Sequence, residues 1–226
     1  MANQVAIVTG ASRGIGKVIA QTLIKNGYTV VGCATSFSNK EKKNYLELHC
    51  DVTKKEDVKK VVDTVIKKFG KINVLINNAG LITYDKFTNI KEKDFDKLFL
   101  VNVKGVMLFS QAVLPIMKKQ RSGYIINMSS IRGITGAPNK GAYSATKFAI
   151  RGLTETIFAE NKEFGIKATS ICPGLISTNS TKDIMKTYGL KNEDVVKESD
   201  ISDTILYLLK LSPKAYIREI IIGGHL

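Results

Sequence analysis

No run of apolar residues in this 226-residue chain reaches the ~18–20 positions that a membrane helix needs, so the sequence predicts no membrane span. Met1-Ala2-Asn3-Gln4 leads almost directly into the first apolar stretch, with neither a charged n-region nor a long h-region. Nothing there predicts secretion, and a cytoplasmic setting is expected. Cysteine is sparse: Cys33, Cys50 and Cys172 lie in apolar or strand-like surroundings and none has CxxC spacing. Free buried thiols in a reducing compartment are expected, and no metal site. Acidic residues are few, 20 against 34 basic ones, for a net charge of +14. Arginine is scarcer still, five of those 34. No aromatic residues interleave with Lys54-Lys55, Lys59-Lys60, Lys67-Lys68 or Lys118-Lys119, so the stacking platform of a nucleic-acid interface is missing. These lysines read as a solvated surface that still steers anionic ligands. There is no Pro-, Gly- or Ser-rich linker, no low-complexity run and no repeat, while the 44% apolar content suffices for one full core.

What is present begins with Val5–Val8, a short apolar run that reads as a buried parallel strand. Gly10, Gly14 and Gly16 follow, and a helix is predicted over 17–25 with Val18, Ile19, Leu23 and Ile24 apolar. A strand, a glycine turn and a helix N-terminus together make an anion site. The first helical N–H groups lack partners, the helix dipole favours negative charge, and glycine lets a diphosphate approach the backbone. A nucleotide is therefore expected at Gly10–Gly16.

The same rhythm continues down the chain. Further strands are predicted over 28–34, 45–50, 72–76, 124–128, 166–171 and 217–222. Helices are predicted over 53–69, 94–120 (in two pieces around 102–105), 141–164 and 201–211, with Thr53 as N-cap, Glu56 closing a capping box, and Gly70 and Gly165 as stops. Residues 36–44 are polar, with room for a brief helix at most. Strands alternating with helices imply right-handed crossovers. The expected architecture is an α/β single-domain doubly wound Rossmann fold spanning 1–226, with a seven-stranded parallel sheet and helices on both faces. Ligands of such sheets sit beyond the carboxyl ends of the strands. That edge collects Gly10–Gly16, Thr35, Asp51, Asn77–Gly80, Ser130 and Pro173-Gly174.

Tyr143 and Lys147 lie four apart, one turn apart on one helix face. A phenol titrating near ~10 is a poor acid–base group at neutral pH, and a nearby ammonium lowers that value. Ser130, at the end of a strand thirteen residues before Tyr143, offers a hydroxyl for a carbonyl facing the tyrosine.

With these parts the chain resembles the short-chain dehydrogenase/reductase family along nearly its whole length. The resemblance rests on Thr9-Gly10-x-x-x-Gly14-x-Gly16, Asp51-Val52, Asn77-Asn78-Ala79-Gly80, Asn102 in Val-Asn-Val, Ser130, Tyr143-x-x-x-Lys147 and Pro173-Gly174. It implies Tyr143 as general acid or base, Ser130 as the group that orients the carbonyl, and Lys147 as ligand of the nicotinamide ribose that depresses the Tyr143 pKa. It implies Asn102 as a helix-kink residue holding a relay water. Gly10, Ser12, Arg13, Gly14, Ile15, Gly16, Thr35, Asp51, Val52, Asn78, Ala79, Gly80, Pro173, Gly174, Ile176 and Thr178 would line the cofactor, and 175–197 would be the substrate lid.

The residues after the second strand, Cys33-Ala34-Thr35-Ser36, include no carboxylate for ribose hydroxyls before Glu41. Arg13 in the glycine turn suits a 2′-phosphate, so NADP(H) is the expected cofactor. The N-terminal half is similar to 3-oxoacyl-acyl-carrier-protein reductases. Arg121 and Arg132 are then expected to flank the site, and an acidic carrier protein is a further partner. The C-terminal part departs from that subgroup: no Gly-Arg signature follows Leu175, and no acidic residue directly precedes Gly223-Gly224. A general carbonyl reductase acting on a small carbonyl or acyl thioester substrate is the leading expectation. The acyl-carrier reductase comes second. A non-catalytic cofactor-binding or RNA-associated protein on the same fold comes third. In the family the helices over 106–120 and 143–164 usually pack against a partner's. Phe148, Leu153 and Ile157 fit such a face, although some of them must face the sheet, and a homodimer or homotetramer is expected.

Overall fold

The computed structural model describes residues 4–178, 181, 185–186 and 189–223. One sheet runs through them. Its strands are β1 (Val5–Thr9), β2 (Thr29–Ala34), β3 (Lys40–Lys42), β4 (Tyr45–His49), β5 (Val74–Asn77), β6 (Gly123–Met128), β7 (Ile166–Pro173) and β8 (Glu219–Ile222). The spatial order is β3-β4-β2-β1-β5-β6-β7-β8, parallel except for the β3–β4 pair. The chain turns back across the sheet between β1 and β5, which opens a crevice at their carboxyl ends.

The helices are α1 (Gly14–Lys25), α2 (Lys55–Phe69), α3 (Glu92–Phe99), α4 (Gly105–Gln120), α5 (Gly141–Asn161) and α6 (Glu198–Lys210). Side-chain alternation along β1 separates two cores. Val5 and Ile7 face Val61, Val65, Phe109, Val113 and Ile157 of α2, α4 and α5, whereas Ala6 and Val8 face Ile19, Leu23, Ile201 and Ile205 of α1 and α6. Central strands buried on both faces read as continuous apolar runs, and β1 and β2 are buried at every position.

Four local expectations are corrected. The sheet has eight strands rather than seven. Residues 40–42 are an antiparallel edge strand, not a brief helix, because Asn39 and Asn44 adopt left-handed backbone (φ 55° and 60°) and fold Lys-Glu-Lys back onto β4. Its charges keep the edge solvated, Lys42 pairing with Glu47 at 3.3 Å. Thr53 does not cap α2: its hydroxyl turns back to Asp51 Oδ1 at 2.8 Å, the helix starts from Lys54, and the capping box with Glu56 is not made. Ile72 stands outside β5 because the Gln120 side-chain amide bonds both its N–H and its C=O (2.9 and 2.7 Å). Finally, the continuous helical stretch 92–120 is 29 residues long, with a window of mean hydropathy 1.6. By length and composition it passes for a membrane span, which no apolar run had suggested. Here it is a core helix, with Val106, Phe109, Val113 and Met117 buried on the sheet.

The stretch 92–120 is interrupted by a π-helical turn over Leu100–Lys104, at the break expected around Asn102. Gly70 and Gly165 end their helices in left-handed conformation, as predicted. All three cysteines are free and buried.

Candidate active site

At the glycine turn the backbone makes the site. Gly10 and Gly14 have φ of +67° and +54°. A Cβ on Gly16 would lie 2.3 Å from the Gly10 carbonyl oxygen, and one on Gly10 2.9 Å from Ala79 Cα. Glycine is therefore required for α1 to start this close to the turn. The Thr9 hydroxyl accepts the N–H groups of Asn78 and Ala79 (2.9 and 3.0 Å), and the Asn78 amide donates to Thr9 O at 3.0 Å. The β1 and β5 loops are thereby tied into one floor. The first turn of α1 has no acidic residue, and its cap, Arg13, makes no side-chain capping bond. Its leading N–H groups are left for an anion.

Beyond β2, Arg13, Thr35 and Ser36 are all exposed and no acid follows before Glu41. Asp51 is committed locally. Burial acts to raise its carboxyl pKa, but the bonds from Thr53 N–H and hydroxyl outweigh it and hold the value below the ordinary one. Val52 is buried beneath Gly105. These groups fit a dinucleotide with a 2′-phosphate better than one with bare ribose hydroxyls, since the cradle is cationic and lacks the carboxylate the latter uses.

The second half of the site lies where β6 meets α5. Ser130 ends the strand segment and accepts the Arg132 N–H at 3.1 Å, while its hydroxyl donates toward Pro173 O at 3.4 Å. Lys147 is buried and its Nζ donates to Met128 O at 2.7 Å, lying 5.5 Å from the centroid of the Tyr143 ring. Burial pushes the Lys147 ammonium down to about 8. Burial also pushes the Tyr143 phenol up to about 12, with the neighbouring Ser130 hydroxyl acting the other way. Removal from water is the dominant influence on Tyr143, and the positive charge that opposes it is that of Arg132.

Asn102 is fully buried at the π-turn. Its Oδ1 accepts Leu81 N–H at 2.7 Å, and its Nδ2 donates to Leu81 O at 2.9 Å and Thr146 Oγ1 at 3.1 Å. The side chain clamps the loop after β5 to α5, one turn from Tyr143. Its side-chain amide is therefore bonded to protein through both its oxygen and its nitrogen.

Pro173 ends β7, Gly174 N–H donates to Ile222 O at 2.8 Å, and Ile176 is buried and bridged to Val196. Thr178 N–H donates to Thr181 Oγ1 at 2.9 Å. The lid expected over 175–197 and the glycine pair ending at Gly224 lie partly outside the described residues.

One expected neighbour is misplaced. Arg121 caps the C-terminal end of α4, beside the start of β6 and at the opposite edge of the sheet, where it donates to Glu163 O at 2.9 Å; it does not flank the site. Ile157 belongs to the core and Leu153 is half-buried, which leaves Phe148 exposed on that helix.

Other residues escaped sequence reading. Arg151 pairs with Glu219 through Nε and Nη2, and its Nη1 donates to Gly133 O at 2.7 Å, fastening the Ser130 turn to α5 and β8. Its signal was the helical spacing Tyr143, Lys147, Arg151. Lys140 and Tyr84 beside Tyr143 carried no pattern, since a loop contact brings them there.

A family model described as short chain dehydrogenase matches residues 4–189. A 3-oxoacyl-acyl-carrier-protein reductase of Staphylococcus epidermidis is 37% identical over 222 residues, covering 91% of each chain. Among solved structures, an alcohol dehydrogenase from the archaeon Thermococcus sibiricus complexed with 5-hydroxy-NADP superposes with a TM-score of 0.83 at 26% identity, covering 97% of this chain and 96% of that one. ElxO with NADP bound superposes at 0.87 with 30% identity, covering 98% of each.

Proposed function

The chain belongs to the short-chain dehydrogenase family, and from that premise we propose that it is an NADP(H)-dependent carbonyl reductase, moving a hydride between the nicotinamide and a carbonyl or secondary-alcohol carbon. The observation that carries the reading is the convergence of Ser130, Tyr143 and buried Lys147 at the sheet edge that also holds the glycine turn. NADP in two similar structures supports the choice of cofactor.

In this reading the turn Gly10, Ser12, Gly14, Ile15 and Gly16 holds the diphosphate. Arg13 and Thr35 take the 2′-phosphate. Asp51, Val52, Asn78, Ala79 and Gly80 border the adenosine, and Pro173, Gly174, Ile176 and Thr178 border the nicotinamide. The cofactor supplies the hydride when bound; the protein supplies position and the proton. Tyr143, protonated at neutral pH, donates to the carbonyl oxygen that Ser130 orients. Lys147 binds the nicotinamide ribose. Asn102 keeps the loop after β5 at a fixed distance from α5.

A 3-oxoacyl-acyl-carrier-protein reductase is the second reading, favoured by the 37% identical relative. Self-association through α4 and α5 is part of the proposal; exposed Met107 and Phe148 support it. The three buried free thiols support a cytoplasmic setting.

The test is NADPH oxidation with a panel of ketones that includes a 3-oxoacyl thioester, with NADH as control. Turnover of at least one ketone, faster with NADPH, is expected. No turnover of any ketone with either cofactor would overturn the proposal.

A further inference from the structure

We propose that the mouth of this site selects carbonyl compounds bearing an anionic group, a carboxylate or a phosphate, which Lys140 and Arg132 hold beside the reacting carbonyl. The inference rests on the carbonyl reductase reading for the reaction itself and adds the substrate's charge.

Lys140 caps α5 three residues before Tyr143. It is drawn inward by the loop after β5: Asp85 forms a bridge with Lys140, and Asp85 N–H donates to Asn139 O at 3.0 Å. The ammonium lies 3.2 Å from the centroid of the Tyr84 ring and 6.0 Å from that of Tyr143. Arg132 comes from the other element that forms the site, two residues after Ser130, and its N–H fixes the Ser130 hydroxyl. Both side chains are partly buried. Among the described residues neither forms an ion pair, and Asp85, joined to Lys140 through the backbone, does not neutralise it.

The Lys140 ammonium thus lies near the Tyr143 ring and the Arg132 charge acts on both groups, with no counter-ion to either cation among the described residues. Burial first, and the Arg132 charge second, push the Lys140 ammonium down to about 8. The arrangement is unfavourable by itself, and an arriving anion relieves it. A cation over an exposed tyrosine ring gains only ~0.5–1 kcal/mol and keeps its full charge, so Tyr84 positions Lys140 without satisfying it. The guanidinium adds a fork suited to carboxylate or phosphate oxygens. Beside Lys140, Tyr84 and Phe87 present exposed aromatic surface, Phe87 being 83% exposed with its ring against Gly141. The carbon skeleton of the substrate has a surface to lie on, and its charge a place to end.

The experiment compares matched pairs that share a carbonyl and differ in charge: acetoacetate against methyl acetoacetate, and dihydroxyacetone phosphate against dihydroxyacetone. kcat/KM with NADPH and calorimetric binding are both measured. An anionic member is expected to exceed its neutral partner by about tenfold or more, as one charge-assisted bond allows. That ratio should fall toward unity in Lys140→Met and Arg132→Gln and survive in Lys140→Arg, which also guards against a variant that merely fails to fold. Preference in the carboxylate pair alone assigns a keto acid, and in the phosphate pair alone a keto phosphate. Neutral members reduced as well as anionic ones, or a preference that persists in both charge-removing variants, would overturn the inference and leave the reductase reading intact. Calorimetric preference for an anion, lost in the variants but without turnover of any ketone, would uphold the inference and overturn the reductase reading.

Discussion

At the glycine turn the site is made of main chain and of side chains left out, whereas at the Tyr143 end it is made of polar side chains taken out of water. Gly16 matters because a Cβ there would strike the Gly10 carbonyl, and Gly14 because its backbone is left-handed. Tyr143 and Lys147 matter because burial moves both titrations, to about 12 and about 8. The first end has no room for a Cβ at Gly10 or Gly16. The second keeps its packing under isosteric change, but its chemistry is set by charge and solvation. In the proposed function a single fold edge therefore presents an anion cradle beside a proton donor, and each can be broken without the other.

The largest effect is expected at the side-chain end. Tyr143→Phe removes only the transferable proton, so kcat should fall ~10²–10⁴-fold while NADPH affinity, measured by calorimetry, stays close to wild type. A Phe variant with near wild-type kcat would remove Tyr143 from its role.

Next comes the buried ammonium. Lys147 titrates near 8 in the folded chain against ~10.4 unfolded, so below pH 8 both states carry the proton and the fold bears a buried charge. Between those two values the folded state has already lost the proton, and stability contributed by this group rises with pH. Relative to Lys147→Met, wild type should gain up to roughly 3 kcal/mol in denaturant unfolding as pH is raised from 7 to above 10. Taking the difference cancels the cysteines and Tyr143, whose raised pKa values act in the opposite sense. A difference that does not change with pH would mean that Lys147 is not held as a desolvated cation.

At the backbone end, Arg13→Ala should weaken NADPH by roughly ten- to a hundredfold and leave NADH nearly unchanged, because only the former carries the 2′-phosphate. Thr35→Asp should turn the preference toward NADH. Equal losses for the two cofactors in Arg13→Ala would assign Arg13 to the shared diphosphate. Gly16→Ala is expected to destabilise the fold by ~1–3 kcal/mol through overpacking and to weaken both cofactors alike, with the pH dependence of activity unaltered. A Gly16→Ala protein that bound NADPH normally would mean that the turn can move aside.

The readable part of the fold was the part with local signals. The apolar runs of β1, β2, β5 and β6, the glycine stops at Gly70 and Gly165, and the break near Asn102 all depend on neighbouring residues, and each was found within a few positions. The antiparallel edge strand β3 was missed because Lys-Glu-Lys has no strand periodicity; two left-handed asparagines and a waiting edge produce it. The Thr53 cap failed because its hydroxyl and its N–H both donate to Asp51, two residues away, which holds the side chain off the helix N–H groups. Arg121 was placed at the site on its charge alone, and chain topology puts it at the other end of β6.

By itself the sequence determined the alternation of strands and helices, the glycine cradle and the Tyr143–Lys147 register, because each is fixed by spacing within a turn or a strand. Only the tertiary structure decided which face of α5 is buried, that the Asn102 side chain clamps Leu81 to Thr146, and that Lys140 and Arg132 come together beside Tyr143. Those outcomes depend on contacts between segments distant along the chain and on removal from water, and neither leaves a local pattern to read.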